Sequence, residues 1–193
     1  MSARSSNLGY GDTDDVVGTA RSHAVDRGNT FFHRVVDTDA TLAGAIARLT
    51  LGLVMLPHAL QKAFGWFGGN GFTGTFNAFV AQGIPGPIAV FVIFGEIFGA
   101  LALVLGALTR IGAVVIAAIM LGAIALVHLP NGLFMNWSGT QRGEGFEYHL
   151  LAIGLALVSL LLGGGKASVD RGLMKWRPAE GGGVSPALAE TAP

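Results

Sequence analysis

The sequence predicts an all-α membrane protein in which four transmembrane helices form an antiparallel bundle. Hydrophobic residues make up 51% of the 193-residue chain and charged residues only 12%, which is about half the charge of an ordinary soluble domain. The apolar residues are also gathered into four long runs instead of recurring at the spacing of a soluble core. Runs of this length suit the crossing of a lipid bilayer.

Charge and cysteine content exclude several classes of function. The formal net charge is zero, so the composition gives no sign of a nucleic-acid partner. The chain has no cysteine, which excludes disulfides, thiolate metal ligands and a thiol redox relay of its own. Residues 1–39 are polar and lack the apolar core of a signal peptide. We therefore expect the first span to direct the chain into the membrane.

The composition changes along the chain predict three regions. Residues 1–41 form a polar N-terminal tail that is expected to be largely disordered. Within this tail, Thr30–Val36 is either a short interfacial helix or a linker ahead of the membrane. Residues 42–170 form the four-helix membrane domain, and residues 171–193 form a C-terminal tail.

The order of apolar runs and breaks predicts how the spans are connected. A two-residue turn at Thr109 and Arg110 forces the second and third spans into an antiparallel hairpin. Phe64–Gly83 is too rich in glycine to span the membrane. This segment, which connects the first and second spans, is predicted to form a short amphipathic helix at the membrane interface. The four spans are predicted at Leu42–Lys62, Pro87–Leu108, Ile111–Leu129 and Glu147–Leu162.

Basic residues are divided unequally between the two sides of this bundle. One side has only Lys62 and Arg142. The positive-inside rule therefore places the other side, and with it both termini, in the cytoplasm. That side collects Arg27, Arg34, Arg110, Lys166, Arg171, Lys175 and Arg177.

Glu96 is the main candidate for a functional residue, because it lies near the middle of the second span. An ionised carboxylate at membrane depth costs several kcal/mol unless it faces a protein or water-lined interior. Gly95 and Gly99 flank Glu96 in a GxxxG pair that allows another helix to approach closely. Close approach at this point would keep lipid away from the carboxylate.

Other polar residues fall at depths from which they can meet Glu96. At the rise of an α-helix, Glu96 is roughly 18 Å from the cytoplasmic side, and His58 and His128 are roughly 25 Å from it. Arg48 is roughly 9 Å deep, and its long side chain is expected to reach up towards Glu96. The residues expected to converge in the outer half of the bundle are His58, Lys62, Glu96, His128 and Glu147.

The residues alone leave three interpretations of this cluster open. The polar groups either form a small-molecule or proton site, or only pair with one another and fix the helix register. His58 and His128 at similar depth also suit two axial haem ligands, although the pattern favours this least. No metal site is expected, because Glu147 and His149 are two residues apart and point to different sides. His149 is interpreted as a residue without a functional role.

Several motifs in this order resemble the DoxX family of bacterial membrane proteins. The resemblance covers Leu42 to Asp170 and implies four helices in the bacterial inner membrane. Its most specific part is the run from His58 to Gly69 (HALQKAFGWFGG). Its other parts are Arg48-Leu49, Gly52, Glu96, Leu105-Gly106, Thr109-Arg110, His128-Leu129-Pro130, Gly132, Phe134, Glu147-Tyr148 and residues 163–170 (GGGKASVD).

The resemblance also implies a function, because the family takes its name from a subunit of a thiosulfate:quinone oxidoreductase. Other members are associated with membrane redox complexes and oxidative stress. We therefore expect a membrane subunit of a quinone-linked oxidoreductase that receives electrons from partner subunits and has no visible cofactor of its own. The alternatives are a non-catalytic anchor or assembly subunit, and a transporter of small solutes or lipids. A homo-oligomer is compatible with each.

Within the quinone hypothesis each polar residue has an expected role. His58 or His128 donates a hydrogen bond to a quinone carbonyl, and Glu96 exchanges the proton. Arg48 or Lys62 stabilises the anionic reduced form. The quinone-binding residues are expected to be Arg48, Lys62, Glu147 and Tyr148.

Overall fold

The computed structural model describes residues 35–176, which fold into six α-helices. The predictions for residues 1–34 lie outside the described residues, as do those for 177–193. They include most of the segment 30–36, for which an interfacial helix and a linker were both left open. No strand occurs between residues 35 and 176. The helices are α1 (Leu42–Phe64), α2 (Gly71–Ala81), α3 (Gly86–Leu105), α4 (Thr109–Ala123), α5 (Glu147–Leu162) and α6 (Val169–Trp176).

The four long helices α1, α3, α4 and α5 form a bundle in which each helix packs against two others. α1 contacts α3 and α5, and α4 contacts the same two helices. α1 and α3 run antiparallel, because Gly52 lies beside Leu103 near the end of α3 while Lys62 pairs with Glu96 in its middle. α2 packs against α1 and α3.

Three helices of the described chain are long and apolar enough to cross a membrane. They are α1, α3 and the segment Thr109–Asn131, in which a π-helical turn at Ile124–His128 and a 3-10 turn at Leu129–Asn131 extend α4. α5 is apolar but has only 16 residues, so a fourth crossing stays a prediction. α2 lies in the stretch where an interfacial helix was expected, and its position at an interface also stays a prediction.

The distribution of apolar side chains on α3 suits a lipid environment. One stripe of the helix, with spacings of four and three residues, is fully buried against the other helices. The large residues Phe91, Phe94 and Phe98 lie outside this stripe and are exposed. An exposed apolar surface of this kind is typical of a helix that faces acyl chains. The buried stripe consists of Ala89, Ile93, Glu96, Ala100 and Leu103.

The connection between α3 and α4 differs from the predicted turn at Thr109 and Arg110. The turn lies at residues 106–108, and α4 already begins at Thr109. Asp170 provides the reason, because its carboxylate accepts hydrogen bonds from the backbone nitrogens of Leu108 (2.7 Å) and Thr109 (3.0 Å) and from Thr109 Oγ1 (2.8 Å). A distant residue therefore caps α4 and satisfies its free first-turn amides.

Gly106 ends α3 where no side chain can be accommodated. Its φ is +65°, and an added Cβ would lie 2.6 Å from Ser168 Cβ and 2.9 Å from Arg48 Cζ. Its carbonyl accepts a hydrogen bond from the backbone nitrogen of Asp170 (2.9 Å). α6 crosses the predicted boundary between membrane domain and tail after residue 170, because Asp170 joins it to this turn.

Replacing Asp170 tests how much this remote cap stabilises the bundle. Asp170→Ala leaves the buried amide and hydroxyl of Thr109 without an acceptor, so we expect it to lower the free energy of unfolding by about 2–4 kcal/mol. Asp170→Asn keeps one acceptor oxygen and should cost less. Unfolding in detergent micelles measures both changes. The control Lys175→Ala removes an exposed side chain of the same helix and should cost less than about 0.5 kcal/mol; an equal loss in the control would contradict the cap.

Candidate functional site

A cavity of about 410 Å³ lies in the half of the bundle where α1 ends and α3 and α5 begin. Most of its walls are apolar, with Met55, Ile88, Phe91, Ile119, Met120 and Leu126 among the lining residues. Gln82 and Glu144 also line it and are exposed, so the cavity reaches the molecular surface. Its other polar residues are His58, Lys62, Glu96, His128, Tyr148 and His149.

An ion pair between Lys62 and Glu96 forms the polar wall between α1 and α3. Lys62 Nζ donates to Glu96 Oε2 at 2.5 Å, and the Lys62 side chain is 29% exposed whereas that of Glu96 is fully buried. Glu96 Oε1 is also buried and has no hydrogen-bond partner among the described residues. Half of the carboxylate is thus satisfied and the other half is left as a free acceptor.

Two histidines from different helices meet at the cavity. The rings of His128 and His149 have their centroids 4.2 Å apart. His128 lies in the π-helical turn, a local widening that is frequent at functional sites. Its Nδ1 is 2.9 Å from the backbone oxygen of Glu144. Because a carbonyl can only accept, Nδ1 carries the hydrogen, and Nε2 of the neutral ring is left as an acceptor.

His149 is the more buried of the two rings, with 7% of its surface exposed. Its Nδ1 is buried without a hydrogen-bond partner among the residues described. The sequence interpretation of His149 as a residue without a role does not account for this position. The helical periodicity of the sequence did indicate that His149 is buried. It lies on one helix face with Ala152, Ala156 and Ser159, all of which are buried.

His58 and Tyr148 line the cavity from α1 and α5. Their ring centroids are 6.1 Å apart, and the Tyr148 hydroxyl donates to Met55 Sδ at 3.4 Å. His58 is exposed, whereas Tyr148 is half-buried. Four of the five residues that were expected to converge thus line one cavity, namely His58, Lys62, Glu96 and His128. Tyr148 lines it as well.

Glu147 does not belong to this set, because it turns towards the loop that precedes α5. Its Oε1 accepts from the backbone nitrogen of Met135 (3.1 Å) and from Trp137 Nε1 (3.2 Å). Glu144, which the sequence analysis did not single out, lines the cavity instead. No periodic pattern in the loop marked Glu144, since its position depends on how residues 132–146 fold back.

Arg48 lies at the other end of the bundle, and its side chain does not reach towards Glu96. The guanidinium is almost fully buried and donates only to backbone oxygens. Because all its bonds go to the ends of α3 and the α5–α6 loop, it joins these elements to α1. The acceptors are the oxygens of Leu103 (2.9 Å), Val104 (2.8 Å), Gly164 (2.6 Å), Lys166 (3.4 Å) and Ala167 (2.8 Å).

The arrangement suits an amphipathic ligand better than a metal ion. Among residues 35–176 no group of three or more His, Asp and Glu side chains is placed to hold a metal. A mostly apolar cavity with a few convergent polar groups is the usual form of a small-molecule site. A ligand with an apolar body and hydrogen-bonding groups at one end would meet both kinds of wall.

Comparison with known proteins identifies the family. A family model described as DoxX matches residues 43–129, which include Arg48, His58, Lys62, Glu96 and His128. No curated protein and no solved structure matches the chain. The resemblance beyond residue 129 stays a prediction. Together with three helices suited to crossing a bilayer, the match indicates a membrane protein whose residues 43–129 form a DoxX domain.

Proposed function

We propose that this protein is a membrane subunit of a quinone-linked redox system and that its cavity binds the quinone headgroup. One observation carries this proposal: a largely apolar cavity of about 410 Å³ receives the Lys62–Glu96 ion pair and the His128–His149 ring pair. The volume lies within the usual range of small-ligand pockets. The family resemblance points to the same class of ligand.

The apolar and polar walls of the cavity would bind different parts of the quinone. Ile88, Phe91 and Leu126 lie along the cavity and would contact the ring and the start of an isoprenoid tail. Lys62, which is partly exposed, would hold the anionic reduced form by its positive charge. Arg48 is not proposed to contact the ligand, because its donors are used by five backbone oxygens.

Reduction of a quinone to a quinol takes up two electrons and two protons. A partner redox protein supplies the electrons in this proposal. Glu96, His128 and His149 would hold and pass the protons, since each of these residues lines the cavity. Glu144 lines the cavity and is exposed, so its carboxylate would exchange protons between this group and the surface.

The same proposal includes a topology in the bacterial inner membrane. All four long helices cross the bilayer, and both termini lie in the cytoplasm, with residues 42–170 as the membrane domain. α5 would rise about 24 Å, which is short but sufficient where a bilayer adapts to its protein. Arg110, Lys166 and Lys175 lie at the end opposite to Lys62, which supports this orientation.

A non-catalytic anchor is the second candidate, and the environment of Arg48 favours it. The five hydrogen bonds of its guanidinium serve packing alone, as the anchor hypothesis expects of buried charge. The two candidates differ at the cavity. An anchor would purify with partner subunits but bind no quinone, whereas the quinone-linked subunit binds a quinone when it is purified alone.

Filling the cavity provides the direct test of the proposed function. Gly122 lines the cavity, and an added Cβ there would meet no atom within 4 Å. We expect Gly122→Phe to occupy the ligand space and to weaken the binding of decylubiquinone about tenfold or more. Quenching of tryptophan fluorescence by decylubiquinone in detergent micelles measures the affinity.

Gly154 offers a matched control for this substitution. It lies on α5 in equally open space, is exposed and does not line the cavity. Gly154→Phe should leave the affinity within about twofold of the wild type, because it adds the same side chain outside the site. Equal losses in both variants, or no binding by the wild-type protein, would overturn the proposal.

Single cysteines test the topology, because the natural chain has none. Lys175→Cys on α6 and Trp137→Cys in the α4–α5 loop replace exposed residues near opposite ends of the bundle. In intact cells a membrane-impermeant maleimide should label Trp137→Cys only. Lys175→Cys should become labelled after the cells are permeabilised. Labelling of both sites before permeabilisation would contradict an odd number of crossings between them.

A further inference from the structure

We propose that the cavity selects the reduced, hydroxyl-bearing form of its ligand, a quinol, over the oxidised quinone. This inference rests on the proposed function and adds which redox form the site is built to hold. It starts from two buried polar atoms that have no partner among residues 35–176 and belong to residues that line the cavity: Glu96 Oε1 and His149 Nδ1.

The Lys62 ion pair determines what Glu96 can accept. While Oε2 accepts a hydrogen bond from the Lys62 ammonium, the paired carboxylate offers its second oxygen as an acceptor. Its Oε1 is therefore an acceptor only, and it is fully buried. A quinone carbonyl is also an acceptor, so a quinone placed here would set two acceptors against each other. A quinol hydroxyl donates a hydrogen bond to Oε1 and removes this conflict.

His149 adds a second reason for a hydroxyl. Its Nδ1 is a donor in one neutral tautomer and an acceptor in the other. A hydroxyl both donates and accepts, so it satisfies Nδ1 in either case, whereas a carbonyl satisfies only one of them. The Lys62 ammonium does not reverse this preference, because it can donate equally to a carbonyl oxygen and to a hydroxyl oxygen.

The experiment compares three ligands of nearly equal shape. Decylubiquinol has two hydroxyls, decylubiquinone has two carbonyls, and the dimethyl ether of the quinol has no donor. Binding to the purified full-length protein is measured under argon. We expect the quinol to bind at least about tenfold more tightly than either of the others, as befits a hydrogen bond to a charged acceptor. This comparison uses the wild-type protein and does not depend on the folding of a variant.

A charge-neutral double variant tests whether Glu96 is the origin of the selectivity. Glu96→Gln combined with Lys62→Met removes both charges and gives the side chain at position 96 an amide donor. The quinol preference should then fall to about twofold or less. Asp39→Asn, an exposed carboxylate next to the end of α5, is the control and should keep the wild-type ratio.

The outcomes separate this inference from the proposed function. Equal binding of quinone and quinol by the wild-type protein overturns the quinol preference and leaves the quinone-binding function standing. Tight binding of the dimethyl ether overturns it as well, because that ligand cannot donate. Failure of all three ligands to bind overturns the proposed function itself. A double variant that keeps the full preference excludes Glu96 as its cause.

A separate observation concerns α6, and from it we infer that this helix rests on anionic lipid headgroups. Val169, Leu173 and Trp176 are exposed by 45%, 44% and 82% and fall on one helix face. Buried Asp170 anchors the helix beside the start of α4, at one end of the membrane-crossing segments. An apolar stripe fixed at this level suits insertion into the headgroup layer.

The charge around this stripe determines which lipid it fits. Arg171 and Lys175 lie on the face of α6 opposite to the stripe, and Lys166 is exposed just before the helix. Basic residues in this position are attracted to anionic headgroups and place the aromatic ring at the interface. Phosphatidylglycerol is therefore the class of lipid expected under α6, in preference to zwitterionic phosphatidylcholine.

Trp176 can report this contact if it is the only tryptophan. With Trp66→Phe and Trp137→Phe, lipids brominated near the headgroup end of the acyl chain should quench Trp176 fluorescence in reconstituted vesicles. Quenching should be at least about twofold stronger with phosphatidylglycerol than with phosphatidylcholine alone, and Lys166→Gln with Lys175→Gln should remove the difference. Equal quenching in both lipids overturns the charge preference, and absence of quenching overturns the lipid contact.

Discussion

The structure depends on how polar groups inside an apolar bundle find partners without water. An unpaired polar group in such an interior is costly, and a charge more so. The two ends of the bundle meet this constraint differently. At one end five backbone oxygens accept from the Arg48 guanidinium, and Asp170 accepts three hydrogen bonds at the start of α4. At the other end, Glu96 and His149 each keep one buried atom without a partner in the described chain.

The packing of α3 against α4 also differs between the two halves of the bundle. α3 and α4 are in tight contact at Gly99 and Gly112, where an added Cβ would lie 2.7 Å from Ile116 and Ala102 respectively. Beyond this contact, towards the start of α3, Val92 of α3 and Ile119 of α4 line the cavity. Small residues thus bring the helices together in one half and leave space in the other. The GxxxG pair beside Glu96 indicated a close approach, and the structure places its tightest contact at Gly99.

Helical periodicity and depth predicted much of this site but could not predict all of it. The rise per residue placed His58, Glu96 and His128 at levels where they line one cavity. The depth of a residue does not determine the direction in which a long side chain turns. The prediction that Arg48 reaches towards Glu96 was therefore wrong. Depth also could not foresee the loop that brings Glu144 to the cavity and turns Glu147 away. The cap of α4 was missed because Asp170 lies 61 residues from Thr109.

A physical reason for the position of Arg48 was nevertheless present in the sequence. α3 ends at Gly106, and the last carbonyls of a helix have no partner within it and carry partial negative charge. Leu103 and Val104 supply two of these oxygens to Arg48. Lys62 lies on the same face of α1 as Arg48, about 21 Å further along the helix. It contacts the middle of α3, where the backbone oxygens already accept hydrogen bonds within the helix. Only a side-chain acceptor is left at that level, which is why a carboxylate belongs at position 96. One face of α1 therefore holds the bundle together through backbone oxygens at one end and positions a half-satisfied carboxylate at the other.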